Sequence, residues 1–146
     1  VCDDAVTADQ RERIVRNEPA VPVAVTLPAE SGSSARARRV VGESARTWGL
    51  SDDLQDDAAL VVTELVSNGV DHATGPLTLT LTRTASGLRI AVADTSRKLP
   101  EPRPVEVGSA RGRGLIIVRE LSRSWGTDLT TTGKVVWAEL AEGQGA

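Results

Sequence analysis

No phenylalanine, tyrosine or methionine occurs in this chain, and cysteine and histidine occur once each among its 146 residues. Each scarcity removes a class of chemistry. A lone Cys2 excludes an intrachain disulfide, and with His72 as the only histidine there are too few ligands for a zinc site. A Ser-His-Asp triad would have to use His72 itself. The core must be built from valine, leucine, isoleucine and alanine, with Trp48, Trp125 and Trp137. No apolar run is long enough to cross a bilayer, and no signal-peptide pattern is present. The expectation is a cytoplasmic protein with no membrane partner. A net charge of −3 argues against direct nucleic-acid binding, which normally brings a basic patch. The length suits one compact domain.

Residues 1–20 are polar, without a sustained period, and read as an N-terminal arm that is disordered or loosely attached. Val21, Val23, Val25 and Leu27 alternate with smaller residues, and Pro22 marks this strand as an edge. Ser31–Ser34 lead into a helical stripe of Ala37, Val40, Val41, Ala45 and Trp48 that closes at Gly49. A longer helix is expected over about 52–73. Leucines at 77, 79 and 81 alternate with threonines, and Leu88, Ile90 and Val92 alternate up to Asp94, predicting a hairpin. The stretch 95–111 has no apolar period, and a loop of that length is usually functional or disordered. Leu115, Ile116, Val118 and Leu121 mark a short helix, and 126–131 with 135–140 predict a second hairpin around Thr132-Gly133. The domain therefore covers 21–141, followed by a tail at 142–146. Sequential hairpins with one apolar face each imply an α+β two-layer sandwich: a mainly antiparallel, mixed sheet with helices on one face.

The chain is organised around Glu64-Leu65-Val66-Ser67-Asn68-Gly69-Val70-Asp71-His72-Ala73. Ser51 is an N-cap candidate, and Asp52, Asp53, Asp56 and Asp57 suit the positive end of the helix dipole. Leu54, Ala58, Val61 and Leu65 share one buried face. Glu64, Asn68 and Asp71 form a polar row beside it. That row is either the wet edge of an amphipathic helix or a working site, in which a carboxylate accepts a proton and an amide oxygen meets a hard cation such as Mg²⁺. Asp94, at a strand end, is either a turn former or an acceptor for an exocyclic amine. Arg111-Gly112-Arg113-Gly114-Leu115 opens a helix, where glycines and free N–H groups suit phosphate; no strand leads directly into it, so it is not a Rossmann fingerprint.

The order of these features is more specific than any one of them. Glu-x-x-x-Asn on a helix, Asp at the following strand end and Gly-x-Gly opening the next helix resemble the GHKL, or histidine-kinase-like, ATPase family. The resemblance covers about residues 21–141. It looks closest to the small anti-sigma-factor serine/threonine kinases of actinobacteria, through Glu64-Leu65-Val66-Ser67-Asn68 and Gly133-Lys134-Val135-Val136-Trp137.

The resemblance implies a fold with ATP and Mg²⁺ as cofactors. It implies that Asn68 holds Mg²⁺ against the phosphates and that Asp94 accepts a hydrogen bond from the adenine amino group. Gly112, Gly114 and the N–H of Leu115 would cradle phosphate, while Arg111 and Arg113 either add positive charge there or are simply solvated. Glu64 would be the general base. His72 would either pack at the helix end or lie beside the nucleotide. The implied partners are a sigma factor and a STAS-type antagonist, together with a second copy of the chain in a homodimer. The glycines of the family's first box are replaced in Asp94-Thr95-Ser96-Arg97-Lys98, and Asp71 stands where relatives carry a basic residue. Two functions follow: a kinase that switches partners and phosphorylates the antagonist, or a catalytically weak ATP-binding and docking module of the same fold.

Overall fold

The computed structural model describes residues 21–73, 75–96 and 114–143. The expected arm at 1–20, the expected loop from residue 97 onward and the last three residues of the tail lie outside them. In chain order the elements are β1 (Val23–Leu27), α1 (Ser33–Thr47), α2 (Asp52–His72), β2 (Leu77–Arg83), β3 (Gly87–Asp94), α3 (Gly114–Leu121), β4 (Ser124–Leu129) and β5 (Lys134–Ala141).

The strands form one sheet in the order β1-β2-β3-β5-β4, and every described pairing is antiparallel. The parallel component that the word mixed allowed is not found among the described strands. As expected from Pro22, β1 is an edge strand. Register explains the core. Val25, Leu79, Val92 and Val136 stand in one row across β1, β2, β3 and β5, and Leu81, Ile90 and Ala138 in the next. All but Val25 are buried, and together with Ala37, Val41, Val61, Leu65 and Val66 of the helices they make one continuous core. Period-two strands meet period-3.6 helices across a single interface, so each element needs only one apolar face.

Helix α2 lies at the centre of that interface, against β2, β3 and β5 on one side and flanked by α1 and α3. Its start is fixed as expected: the Ser51 hydroxyl accepts a hydrogen bond from the Leu54 N–H at 3.2 Å. The same hydroxyl donates to Glu142 Oε1 at 2.6 Å, tying the end of β5 to the helix start. Further along, Gly69 allows a close approach to the sheet, because a Cβ there would stand 3.1 Å from the Leu77 methyls.

Two expectations are corrected. The fourth strand begins at Ser124 rather than 126, because Trp125 pairs with Ala138 and packs on the core while residues 130–133 make the turn. Trp137 is not a core residue: it pairs with Ala91 and Gly126, one step out of register with Val136 and Ala138, and so faces away from the helices. Its ring lies under the Arg89 guanidinium, 5.2 Å from the ring centroid. Arg89 in turn stands 3.9 Å from Glu139.

Candidate functional site

The candidate row sits on the C-terminal half of α2. Glu64, Asn68 and His72 follow at intervals of four, so they climb one side of the helix, and all three are half-buried. Asp71 is exposed and leaves the row that the sequence assigned it. Residues four apart on a helix have Cβ atoms about 5–6 Å from each other, close enough to serve one ligand. Burial raises the pKa of Glu64 above the usual carboxylate range, because desolvation disfavours the charged form. Asn68 has a buried amide nitrogen with no hydrogen-bond partner. An amide can turn by half a rotation and offer either its NH₂ or its oxygen. An orphaned polar atom of this kind fits a group that arrives from outside the chain.

The same end of the sheet holds Asp94. A Cβ on Gly69, the residue after Asn68, would lie 3.6 Å from Val92, which precedes Asp94 by one period on the same face of β3. Gly75, at the exit from α2, stands 3.7 Å from the Thr95 side chain on the same measure. Helix and strand end therefore converge. Asp94 is buried at 7 % exposure, and its Oδ1 accepts from the Ser96 N–H at 2.8 Å, a local turn closed by the side chain.

Lys134 is the residue that sequence reasoning missed. It is wholly buried and faces Asp94 directly across β3 and β5. Its Nζ donates to Oδ1 at 3.2 Å and lies 3.0 Å from Oδ2. Oδ2 is off the hydrogen-bond direction and is held by charge alone. The approach depends on Gly133, where a Cβ would come within 1.9 Å of the Asp94 carbonyl oxygen. Two signals pointed here. The alternation Lys134, Val136, Ala138, Leu140 places the lysine on the buried face. The chain also uses arginine for almost all its positive charge, with Lys134 one of only two lysines.

Gly114 opens α3, which packs against α2, and Leu115 is half-buried behind it. Arg111, Gly112 and Arg113 lie outside the described residues. Among the described residues, no group of three or more histidine, cysteine, aspartate or glutamate side chains is placed to hold a metal.

With this arrangement in place, the family described as the histidine kinase-like ATPase domain matches residues 27–140. The chain belongs to that family. Its match runs from the last residue of β1 into β5 and takes in all three helices described. Among solved structures, the chain is similar to the RsbU and RsbW domains of Rv1364c from Mycobacterium tuberculosis, with a TM-score of 0.64 at 18 % identity. That likeness is one of fold. It covers 84 % of this chain and 33 % of the other, so the present chain spans about a third of that structure's length. No curated protein matches the chain. Membership of the family implies ATP binding. Among the described residues, no helix is long and apolar enough to cross a membrane.

Proposed function

We propose that the chain is an anti-sigma-factor-type serine/threonine kinase. It would bind ATP with Mg²⁺, phosphorylate a STAS-type antagonist and alternately hold a sigma factor. The observation that carries this reading is the pairing, one helical turn apart, of a base with raised pKa and an orphaned buried amide: Glu64 and Asn68. The RsbW domain in the similar structure agrees with the branch of the family to which the sequence motifs point.

In this reading each residue has one task. Asn68 offers its side-chain oxygen to the cation. Bound Mg²⁺ supplies neutralisation of phosphate charge, which is most of what phosphoryl transfer needs. Glu64 takes the proton of the acceptor hydroxyl as that oxygen bonds to the γ-phosphorus and ADP departs. His72 borders the nucleotide beyond Asn68. Gly112, Gly114 and the N–H of Leu115, with Arg111 and Arg113, hold phosphate at the start of α3. The compartment is the cytoplasm, and a second copy of the chain completes a homodimer.

A second reading has its own observation. The ion pair between Asp94 and Lys134 occupies the carboxylate that relatives direct at adenine, and this favours a docking module with weak turnover. Incubation with γ-labelled ATP, Mg²⁺ and candidate STAS proteins separates the two. Label on a serine or threonine of the antagonist, lost in Glu64→Gln, supports the kinase. Docking of a partner without transfer supports the module. No nucleotide binding at millimolar concentration by calorimetry removes the site.

A further inference from the structure

We propose that the chain associates head to tail with a second copy of itself, the arginine groove on α1 of one copy seating against the acidic cleft at the start of α2 of the next. The inference goes beyond the nucleotide-binding reading above and uses a different part of the surface.

The groove lies on the exposed side of a single helix. Ala35, Arg38, Arg39, Gly42, Glu43 and Arg46 line a hollow of about 670 Å³. Ala35 and Gly42 share one side of the helix and make a low floor between the arginines. Two of the guanidinium groups are held in advance. Arg38 donates to Thr63 Oγ1 of α2 at 3.1 Å. Arg46 lies back along the helix over Gly42, where a Cβ would stand 3.4 Å from its Nη1. Side chains ordered before contact lose less freedom on making it. Against these arginines the groove sets one carboxylate, Glu43.

The cleft has the opposite sign. Asp53, Asp56 and Asp57 of α2 stand with Glu120 of α3 and with Glu142, just after β5, around a space of about 540 Å³. Among the described residues, none of Asp53, Asp56, Asp57 and Glu120 makes an ion pair, and neither do Arg39 and Arg46. The excess of like charge shows in Asp57, whose pKa is raised by desolvation and then by Asp53 and Asp56. Acidic residues at a helix start suit the dipole and need no partner. What calls for a partner is the matching groove, which no dipole explains.

The two patches cannot meet within one copy. Helices α1 and α3 flank α2, with the groove on the outer side of α1 and the cleft between α2 and α3. Two complementary patches at different places on one molecule make a heterologous contact, which repeats into a ring or an open chain. Complementary charge fixes the register of such a contact and speeds encounter. Both patches are exposed, so salt screens the attraction: the Debye length falls from about 10 Å at 0.1 M to about 3 Å at 1 M. The association is therefore weak and salt-sensitive.

The test is sedimentation equilibrium of the full chain over a range of concentration, in low and in high salt. The average mass is expected to rise with concentration in low salt, with a dissociation constant weakened about tenfold or more in high salt. Two double variants then reverse one patch each, at exposed residues only: Arg39→Glu with Arg46→Glu, and Asp56→Lys with Glu120→Lys. Either alone carries two patches of the same sign and is expected to stay monomeric. Their equimolar mixture pairs each reversed patch with the natural patch of like kind in the other protein, and is expected to regain the mass of the unmodified protein. Circular dichroism checks that both variants fold, and the salt series on the unmodified protein decides the matter where one does not. A protein that stays monomeric at millimolar concentration in low salt overturns the inference. So does a mixture of folded variants that fails to associate. A dimer whose mass neither salt nor either variant changes has its contact elsewhere; the homodimer of the proposed function then stands and only the present inference falls.

Discussion

Lys134 and Asp94 face each other across β3 and β5 as a buried ion pair, with Nζ 3.0 Å from Oδ2 and 3.2 Å from Oδ1. Two charges inside a protein hold each other in place, and removing one strands the other. Asp94→Asn and Lys134→Met should therefore each destabilise the fold by about 3–5 kcal/mol. The two together should cost much less than the sum, since neutral side chains of similar size need no counter-ion. Denaturant midpoints of the four proteins measure the coupling. Strict additivity would show that the two side chains do not depend on each other.

Glu64 gives a prediction about pH. Burial raises its folded pKa above the ordinary 4.5. The folded state therefore binds this proton more tightly than the unfolded chain, and the contribution of Glu64 to stability declines as pH rises from the unfolded value through the folded one. Glu64→Gln should be at least as stable as the parent at neutral pH. Phosphoryl transfer should rise through the raised pKa as the base ionises. In Glu64→Gln it should fall by about 10²–10⁴-fold and lose that pH dependence. Nucleotide affinity measured on the same samples should stay the same. A variant that unfolds would make Glu64 structural.

At the other end of α2, Asp53, Asp56 and Asp57 line a cleft of about 540 Å³ with Glu120 and Glu142. Desolvation first, and then repulsion from Asp53 and Asp56, raise the pKa of Asp57 above 3.8. Its effect on stability is favourable below the unfolded pKa and is lost as pH climbs through the raised one. Asp57→Asn should stabilise the protein at pH 7 by about 0.3–0.5 kcal/mol, or about 1–2 °C in thermal midpoint, discounted for solvent screening. The gain should vanish near pH 3. An equal gain at both pH values would assign it to something other than charge.

Much of this architecture is visible in the residue pattern, for a physical reason. The strands β2, β3 and β5 have one face in the core, so alternation reports them directly. Helix α2 begins at a serine cap and carries a continuous apolar stripe, so its extent and the pair Glu64 and Asn68 follow from spacing; Asp71, which spacing also assigned to the row, is exposed, and His72 stands in its place. Strand β4 has no such signal. It is an edge strand with no buried residue, half of its residues exposed and half partly so, and its position is set by pairing with β5 rather than by its own sequence. Trp137 misleads because its hydrophobicity suggests the core while its place in the alternation assigns it to the open face under Arg89. Lys134 is harder still. A lysine at the start of a strand reads as solvated flank, and only a partner forty residues away makes its burial tolerable. The partner was recognised as a site residue, but which charge it would meet depended on the register of β3 against β5.

Gly133 tests that register. Alanine there would place a Cβ 1.9 Å from the Asp94 carbonyl oxygen and 2.8 Å from the Thr95 Cα, and backbone atoms cannot swing aside as a side-chain tip can. Gly133→Ala should cost about 1–3 kcal/mol through forced separation of the strands. Gly32→Ala is the control, because a Cβ there meets nothing within 4 Å. Thermal denaturation of both variants is the measurement. Equal midpoints would mean that β3 and β5 can separate without loss.

Asn68 separates a working site from the wet edge of a helix. Its buried amide nitrogen lacks a partner, so the native fold carries a desolvation cost of about 1–3 kcal/mol that no hydrogen bond within the chain offsets. If Asn68 were there for stability, Asn68→Ala would lower the thermal midpoint. If it is there for a cation and its phosphates, the same change should leave the midpoint of the free protein level or higher, since alanine removes the orphaned group and favours helix. Ligand at a hundred times its dissociation constant stabilises a fold by about 2.7 kcal/mol, an upward shift of about 5–10 °C for a chain of this size. The unmodified protein should show that shift with Mg-ATP and a smaller one with ATP in EDTA. Asn68→Ala should make the two shifts equal, because the residue that couples metal to nucleotide is gone. A variant that unfolds in the absence of ligand, or one that keeps the full effect of Mg²⁺, would return Asn68 to the surface of an amphipathic helix.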